Sequence, residues 1–169
     1  MRIEIVPVLS DNYAYLLICE SSGQAAVIDP ADAAAVATRV EELGVDLVAI
    51  WNTHHHWDHT NGNEQLCRRA SEAGKTLEVC GHISDAARVP QLNRGLEAGD
   101  EVALGSLTAR VYHTPGHTTG ALVYSVEGAA FTGDTLFGAG CGRLFEGTAE
   151  MLHRSLNVTL AGLEGSVSV

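Results

Sequence analysis

Seven consecutive residues, Thr53-His54-His55-His56-Trp57-Asp58-His59, are the most informative stretch of this chain. Four of its 8 histidines fall within six positions here, together with one aspartate. Imidazole and carboxylate suit zinc, iron(II) or manganese, and the stretch holds no thiolate. The pattern therefore favours an open, catalytic metal site over a closed structural one. The alternatives are a polar surface loop with accidental histidines, or a loop whose histidines cap the following helix.

The neighbouring segments place this stretch on a loop between a strand and a helix. The continuous apolar run 45–53 predicts a strand buried on both faces, and 61–73 predicts a helix. Three β-rich runs precede them, at 3–8, 13–19 and 25–28. Between these runs and the apolar strand, a predicted helix begins after Asp32 and ends at Gly44.

The second half of the chain is also rich in predicted strands. These lie at 76–80, 102–104, 107–112, 121–126 and 129–132. Residues 83–96 have weak helical character interrupted by Pro90 and receive no assignment, and 148–163 predicts a final helix. The order of elements indicates a single domain over 1–169 in which mixed sheets pack together with helices outside.

Two later strand ends each supply one more side chain that can bind a metal. Thr114-Pro115-Gly116-His117-Thr118 follows one strand, and Phe131-Thr132-Gly133-Asp134-Thr135 follows another. Taken alone, His117 is typical of a hydrogen-bonded turn and Asp134 of an Asx turn or a helix cap. Together with the histidine stretch they predict a single metal centre.

Composition excludes several kinds of partner. The chain of 169 residues has a net charge of -11, from 10 basic and 21 acidic residues. Such a balance argues against nucleic acid and against an anionic membrane surface. No apolar run reaches the length that spans a bilayer, so a cytoplasmic protein is predicted. The four cysteines lie far apart without a CxxC pair, which predicts reduced, mostly buried thiols.

The combination of THHHWDH, TPGHT and FTGD resembles the metallo-β-lactamase superfamily. Two further stretches, VPVLSDNYAYL at 6–16 and GDTLFGAGCGRLFEGT at 133–148, are similar to the bacterial glyoxalase II family, the hydroxyacylglutathione hydrolases. The resemblance implies an α+β fold, an αββα sandwich of two mixed sheets with helices outside. It also implies metal-dependent hydrolysis of S-(2-hydroxyacyl)glutathione thioesters, such as S-lactoylglutathione, to a 2-hydroxy acid and glutathione during methylglyoxal detoxification.

The resemblance also implies two divalent metal ions, with zinc expected and iron or manganese as alternatives. The ligands of the first ion would be three histidines: His54, His56 and His117. The second ion would be bound by Asp58 and His59, and Asp134 would bridge the two ions.

Further roles follow from the same resemblance. Asp58 would act in catalysis together with a hydroxide held by the metals, and His55 would point away from them. Asp29 would support the ligands from behind, although it is also typical of a turn before a proline. Arg143 and Phe145 would hold the glutathione moiety, the alternative for Arg143 being a plain surface charge.

Members of the family continue past residue 169 with another strand, whose histidine completes the second metal site, and with a helical region that grips glutathione. The resemblance therefore implies a domain that lacks this strand and region, a weak or absent second metal, and an exposed sheet edge that favours homo-oligomerisation. His153, the one histidine after Asp134, is predicted to face solvent on the final helix.

Two other functions compete with thioester hydrolysis at this point. One is a mononuclear iron dioxygenase acting on glutathione persulfide, which would use two histidines and one carboxylate. The other is a truncated, catalytically weak metal-binding module.

Overall fold

The first half of the chain forms a six-stranded mixed sheet. The computed structural model describes residues 1–163 and 165–169. The strands are β1 (Arg2–Val8), β2 (Asn12–Cys19), β3 (Gln24–Ile28), β4 (Asp46–Trp51), β5 (Glu78–His82) and β6 (Arg94–Leu96). They lie side by side in chain order, antiparallel from β1 to β3 and parallel from β3 to β6. The parallel part requires the longer crossover connections in which the first helices lie.

The second sheet contains β7 (Glu101–Leu104), β8 (Leu107–His113), β9 (Leu122–Val126) and β10 (Ala129–Phe131), in the order β10-β9-β8-β7. All three pairs are antiparallel, because short turns such as Gly105-Ser106 and Glu127-Gly128 can join only antiparallel neighbours. The one parallel contact that this sheet has within the described residues is an isolated bridge between Ala129 and Ser168. The sheet is therefore mixed only through that bridge.

In the part of the chain that the structure describes, four α-helices accompany the sheets: α1 (Ala33–Leu43), α2 (Trp57–Thr60), α3 (Asn63–Glu72) and α4 (Ala149–Arg154). The predicted ends of α1 are confirmed. The Asp32 carboxylate accepts hydrogen bonds from the amides of Ala34 and Ala35, and Gly44 ends the helix in the left-handed region, with φ 64°. Within the described residues, no helix combines the length and the apolar character needed to cross a bilayer.

The final helix differs from the prediction of one regular helix over 148–163. It begins as expected, with the Thr148 hydroxyl capping the amide of Met151, but α4 gives way to a π-helical segment at Ser155–Thr159 and a 3-10 turn at Leu160–Gly162. The Ser155 hydroxyl donates to the carbonyl of Pro115, and the β-branched Val158 and Thr159 fit a regular helix poorly.

Other boundaries differ because short elements leave no periodic pattern. The predicted helix 61–73 is α3, and the four-residue α2 before it was not predicted. The unassigned segment 83–96 contains a 3-10 turn at Ile83–Asp85 and the three-residue β6. These elements are too short for a period of two or 3.6 residues to become visible.

Three apolar clusters arrange these elements as four layers. Between the sheets lies the largest cluster, in which Trp51 stacks on Tyr124 with ring centroids 5.3 Å apart. The outer face of the first sheet packs on α1 and α3 through residues such as Val36 and Leu66. The outer face of the second sheet packs on the segment after α4 through Leu160. The predicted αββα sandwich is confirmed.

The sheet edge predicted to be exposed is partly covered. Strand β10 lies at that edge, and the amide of Ala130 donates to the carbonyl of Ser168 at 2.8 Å. The amide of Ser168 donates in turn to the carbonyl of Gly128 at 2.9 Å. Residues near Ser168 therefore pair with the beginning of β10.

Candidate metal centre

The strand ends of both sheets meet at one edge of the sandwich and carry the motif residues there. Asp29 follows β3, the histidine stretch follows β4, His117 follows β8 and Asp134 follows β10. The buried side chains of this group include His54, His59 and His117, which are 2%, 4% and 3% exposed. Polar rings are rarely so buried without partners, so the edge is a polar site.

Three imidazole nitrogens converge at this edge. His54 Nε2 lies 3.2 Å from His56 Nδ1, which in turn lies 2.9 Å from His117 Nε2. Zinc–nitrogen bonds of about 2.05 Å in a tetrahedral site place two such nitrogens roughly 3.3 Å apart. The separations fit the coordination of one divalent ion after shifts of a few tenths of an ångström.

Asp134 lies between this triad and His59. Its Oδ2 is 3.3 Å from His117 Nε2, and its Oδ1 is 3.2 Å from His59 Nε2. Asp58 Oδ2 approaches the same His59 nitrogen at 3.7 Å. The arrangement thus offers a second group of donor atoms beside the first, with the Asp134 carboxylate shared between them.

Gly133 allows this carboxylate to reach the histidines. Its φ is 48°, and a Cβ at this position would lie 2.3 Å from the Thr53 hydroxyl oxygen. Only glycine permits both the backbone conformation and the contact. The turn after β10 therefore packs directly on the loop after β4.

Asp29 supports the ligands from behind, in a conformation that is unusual for an aspartate, with φ 51°. Its carboxylate accepts hydrogen bonds from the amide of Thr53 at 2.7 Å and from the Thr53 hydroxyl at 2.6 Å. It also lies 2.9 Å from His59 Nδ1. A proton held on Nδ1 leaves the Nε2 lone pair of His59 directed at Asp58 and Asp134.

The electrostatics of the site favour bound cations. Burial and the neighbouring His59 and His117 hold the pKa of His54 well below its usual range, so this ring is neutral with a free lone pair. Burial opposes protonation of His59 too, but the charges of Asp29 and Asp134 raise its pKa to about 10. A field that holds a proton so firmly also attracts a divalent metal ion in its place.

The loop after Asp134 closes one side of the site. The carbonyl of Arg143 lies 2.7 Å from His117 Nδ1, which directs Nε2 of that ring at His56. The Phe145 ring stands edge-on to His56 and His117, with centroids 5.4 and 5.3 Å away. The Arg143 guanidinium lies 5.0 Å above the Phe145 ring. Both residues predicted to contact substrate therefore flank the triad.

Two histidines lie outside the cluster, as predicted, and some residues that contribute to the site were not predicted. His55 points away from the triad, as expected, with Nδ1 3.3 Å from the Asp85 carboxylate. His153 is exposed on α4, also as expected. Sequence reasoning missed Thr53, which contacts both Asp29 and His54, and Asn12, whose amide donates to the carbonyl of Asp58 at 2.8 Å. Neither residue type distinguishes such a role from ordinary turn chemistry.

The chain belongs to the metallo-beta-lactamase superfamily, whose family model matches residues 9–162. The donor set is in keeping with this membership, since the three-histidine triad and the neighbouring carboxylates fit divalent metal binding. No feature of the superfamily match specifies zinc or iron.

Within that superfamily, the predicted resemblance to hydroxyacylglutathione hydrolases is confirmed. The chain is 48% identical over 158 residues to "Hydroxyacylglutathione hydrolase" of Rhodospirillum rubrum, covering 92% of this chain and 60% of that protein. It is 44% identical over 170 residues to "Hydroxyacylglutathione hydrolase cytoplasmic" of Arabidopsis thaliana, covering 96% of this chain and 64% of the relative. The chain thus spans less than two thirds of the length of these relatives.

Among solved structures, the chain resembles ETHE1 from Myxococcus xanthus, with a TM-score of 0.86 and 31% identity. The match covers 99% of this chain and 73% of that one. The αββα architecture therefore extends along nearly all of the chain.

Proposed function

We propose that this chain is a metal-dependent hydrolase that cleaves S-(2-hydroxyacyl)glutathione thioesters, such as S-lactoylglutathione, to a 2-hydroxy acid and glutathione. The observation that carries the proposal is the convergence of His54 Nε2, His56 Nδ1 and His117 Nε2 beside the Asp134 carboxylate. Relatives named for this activity, such as that of Rhodospirillum rubrum at 48% identity, support the choice of substrate.

The residues at the site would hold two divalent ions, with zinc as the first candidate. The imidazole triad would hold one ion, Asp58 and His59 would hold the other, and Asp134 would contribute to both. When bound, such ions supply Lewis acidity and acidify water at neutral pH. The Asp58–His59 donors beside Asp134 favour two ions over the single ion of a dioxygenase.

The side chains of this protein would position the reacting groups. Asp58 lies in the first turn of α2, beside His59 Nε2, where its carboxylate can accept a hydrogen bond from the attacking water and orient it. Water adds to the thioester carbonyl carbon and passes a proton to the Asp58 carboxylate. The C–S bond then breaks, the sulfur leaves as a thiolate, and the acid product loses its remaining proton to solvent. Because a thiol has a pKa near 8.5, roughly 1.5 units above neutral pH, the reaction needs no dedicated general acid.

Arg143 and Phe145 would hold the glutathione moiety. The protein carries a net charge of -11, so an anionic substrate requires a local cation near the metal site. The Arg143 guanidinium lies over the Phe145 ring, which in turn stands beside His56 and His117. A glutathione carboxylate is a chemically matched partner for it.

The acyl group would occupy the opposite side of the site. A cavity of about 540 Å³ opens beside His59 and Asp134, and its walls include the aromatic rings of Tyr13, Tyr15 and Phe131. This volume accommodates a small acyl group. We place the reaction in the cytoplasm, following the name of the Arabidopsis thaliana relative.

The test combines metal content with turnover of S-lactoylglutathione on one sample. We expect zinc-loaded protein to release free thiol, and we expect His117→Ala and Asp134→Ala to abolish the release. His153→Ala is the matched control, because this histidine is exposed on α4 and outside the donor set. Full turnover in His117→Ala, or none in the metal-loaded parent, would contradict the proposal.

A further inference from the structure

We propose that Glu146 is a positioning residue that, together with Arg88, holds the substrate arm, defined as residues 142–147, against the metal centre and leaves Arg143 free for the substrate. This inference rests on the proposed hydrolase function for the identity of the substrate. Neither residue was singled out by sequence reasoning, because a glutamate and an arginine 58 positions apart form no motif.

Glu146 joins the substrate arm to the loop that carries His117. Its Oε2 accepts hydrogen bonds from both the amide and the hydroxyl of Thr119, each at 2.9 Å. Its Oε1 accepts a hydrogen bond from Arg88 and lies 3.5 Å from His55 Nε2. Both carboxylate oxygens are therefore occupied, and the side chain is only 25% exposed.

Arg88 is itself anchored to the interior by Asp85. The Asp85 side chain is fully buried, and its Oδ1 accepts a hydrogen bond from Arg88 at 2.5 Å. A Cβ on Gly120 would lie 2.5 Å from the same carboxylate, so the backbone after the His117 loop packs directly on it. Side-chain hydrogen bonds from Arg88 to Asp85 and to Glu146 thus connect the segment after β5 to the substrate arm.

Backbone contacts make the substrate arm and the His117 loop one unit. The amides of Phe145 and Glu146 donate to the carbonyl of His117 at 3.2 and 3.3 Å, and Gly147 donates to Gly116 at 3.1 Å. A displacement of Glu146 would therefore move the Phe145 ring and the Arg143 carbonyl together.

Charge pairing gives Arg88 a second effect. Glu146 is three residues from Arg143, and without Arg88 its carboxylate would be an unpaired negative charge near the anionic substrate. Pairing with Arg88 removes that repulsion and removes a competitor for the Arg143 guanidinium. The network thus affects substrate binding more than the chemical step.

The experiment compares Glu146→Gln and Arg88→Gln with the zinc-loaded parent in S-lactoylglutathione hydrolysis. We expect KM to rise about tenfold in Arg88→Gln, the order expected for loss of a charge-assisted hydrogen bond. The rise should be smaller in Glu146→Gln, which loosens the arm but also removes the carboxylate that would repel the substrate. In both variants kcat should stay within about twofold. Arg88→Lys should restore part of the loss. Glu150→Gln removes an equal charge nearby and should leave KM unchanged, because Glu150 is exposed and outside the network.

Hydrogen exchange gives a readout that needs no turnover. Glu146→Gln should accelerate exchange of the amides at 145–147 about tenfold, while the amides of β2 keep the parent rate. If Glu146→Gln does not fold, Thr119→Val removes one donor to the same carboxylate and should produce a smaller shift of the same kind.

The outcomes separate the two proposals. A rise in KM at constant kcat, with faster exchange of the arm, supports positioning by Glu146. An unchanged KM, a loss confined to kcat, or unchanged exchange overturns it. Absence of hydrolysis in the zinc-loaded parent overturns the proposed function, and the exchange rates of the arm still decide whether Glu146 holds it.

Discussion

Replacing Asp29 by asparagine tests how the protein orients His59. Asparagine has nearly the same shape as aspartate and is at ease in the left-handed conformation that position 29 adopts, with φ 51°. The substitution therefore removes charge and one acceptor without straining the backbone. The Thr53 amide donates to Oδ1 and cannot reverse its role, so the remaining oxygen stays at that position. The side-chain NH₂ then replaces Oδ2 and faces both the Thr53 hydroxyl, which can rotate, and His59 Nδ1, which would have to give up its proton.

The size of the effect follows from the contacts of the carboxylate. Asp29 is 4% exposed and lies 2.9 Å from His59 Nδ1, so the contact is a buried, charge-assisted hydrogen bond. Such bonds contribute about 1.5–3 kcal/mol. Loss of this bond should weaken metal binding at the Asp58–His59 donors about 10- to 100-fold, the range known for carboxylates behind metal-binding histidines. The imidazole triad should keep its affinity within about threefold, because it is linked to Asp29 only indirectly, through the Thr53 hydroxyl that lies between Asp29 and His54.

A zinc titration in competition with a chromophoric chelator measures both affinities, and circular dichroism checks the fold. Asp32→Asn is the control, because asparagine caps α1 as well as aspartate does and Asp32 binds only the amides at the start of that helix. Equal affinities in Asp29→Asn and the parent would refute the reasoning about His59. A loss of both affinities with intact circular dichroism would refute the separation of the two donor groups.

Three further outcomes are expected. Arg143→Ala should raise KM for glutathione thioesters more than it lowers kcat, and a loss of kcat alone in steady-state kinetics would contradict its binding role. Zinc at 100 times its dissociation constant should stabilise the fold by about 2.7 kcal/mol. Thermal unfolding with and without a chelator measures this gain, and the same Tm in both would contradict zinc binding to the folded protein. Hydrogen bonds from Ser106, Ser21 and Ser22 lower the pKa of Cys19 from 9.0 to about 5. Because the pKa is lower in the folded protein, the free energy of unfolding relative to Cys19→Ala should be greatest above pH 9 and should fall as the pH decreases through 5. Denaturant titrations across this range measure it, and a difference between the two proteins that does not change with pH would refute the shift.

Long segments with a regular pattern were predictable from the sequence because their structure depends on residues that are close together in the chain. The helix between Asp32 and Gly44 has both a capping carboxylate and a left-handed glycine, and both perform those functions. The strand before the histidines has five consecutive apolar residues at 47–51, and β4 is buried over its last three residues. Short elements such as β6 depend on neighbours distant in sequence, which no local pattern encodes.

The residues of the candidate site likewise divide into those that the sequence could predict and those that it could not. Histidine and aspartate at close spacing are chemically unusual, so the donor residues could be proposed before their distances were known. Thr53 contacts Asp29, which is 24 positions away, and Asn12 contacts Asp58, 46 positions away. Glu146 contacts Thr119, 27 positions away. Such residue types are common at turns and surfaces, and their contribution becomes visible only in three dimensions.

The distribution of donor atoms over both sheets has a consequence for folding. His54, His56 and His59 follow a strand of the first sheet, whereas His117 and Asp134 follow strands of the second. His56 and His117 are 61 residues apart in the chain. An ion held by His54, His56 and His117 would act as a reversible cross-link between the two layers, comparable to a disulfide that closes a long loop. Layers that separate by even a few ångströms lose the ion at once. Zinc affinity therefore measures how well the two sheets are packed together, although the ion binds at only one edge of the sandwich.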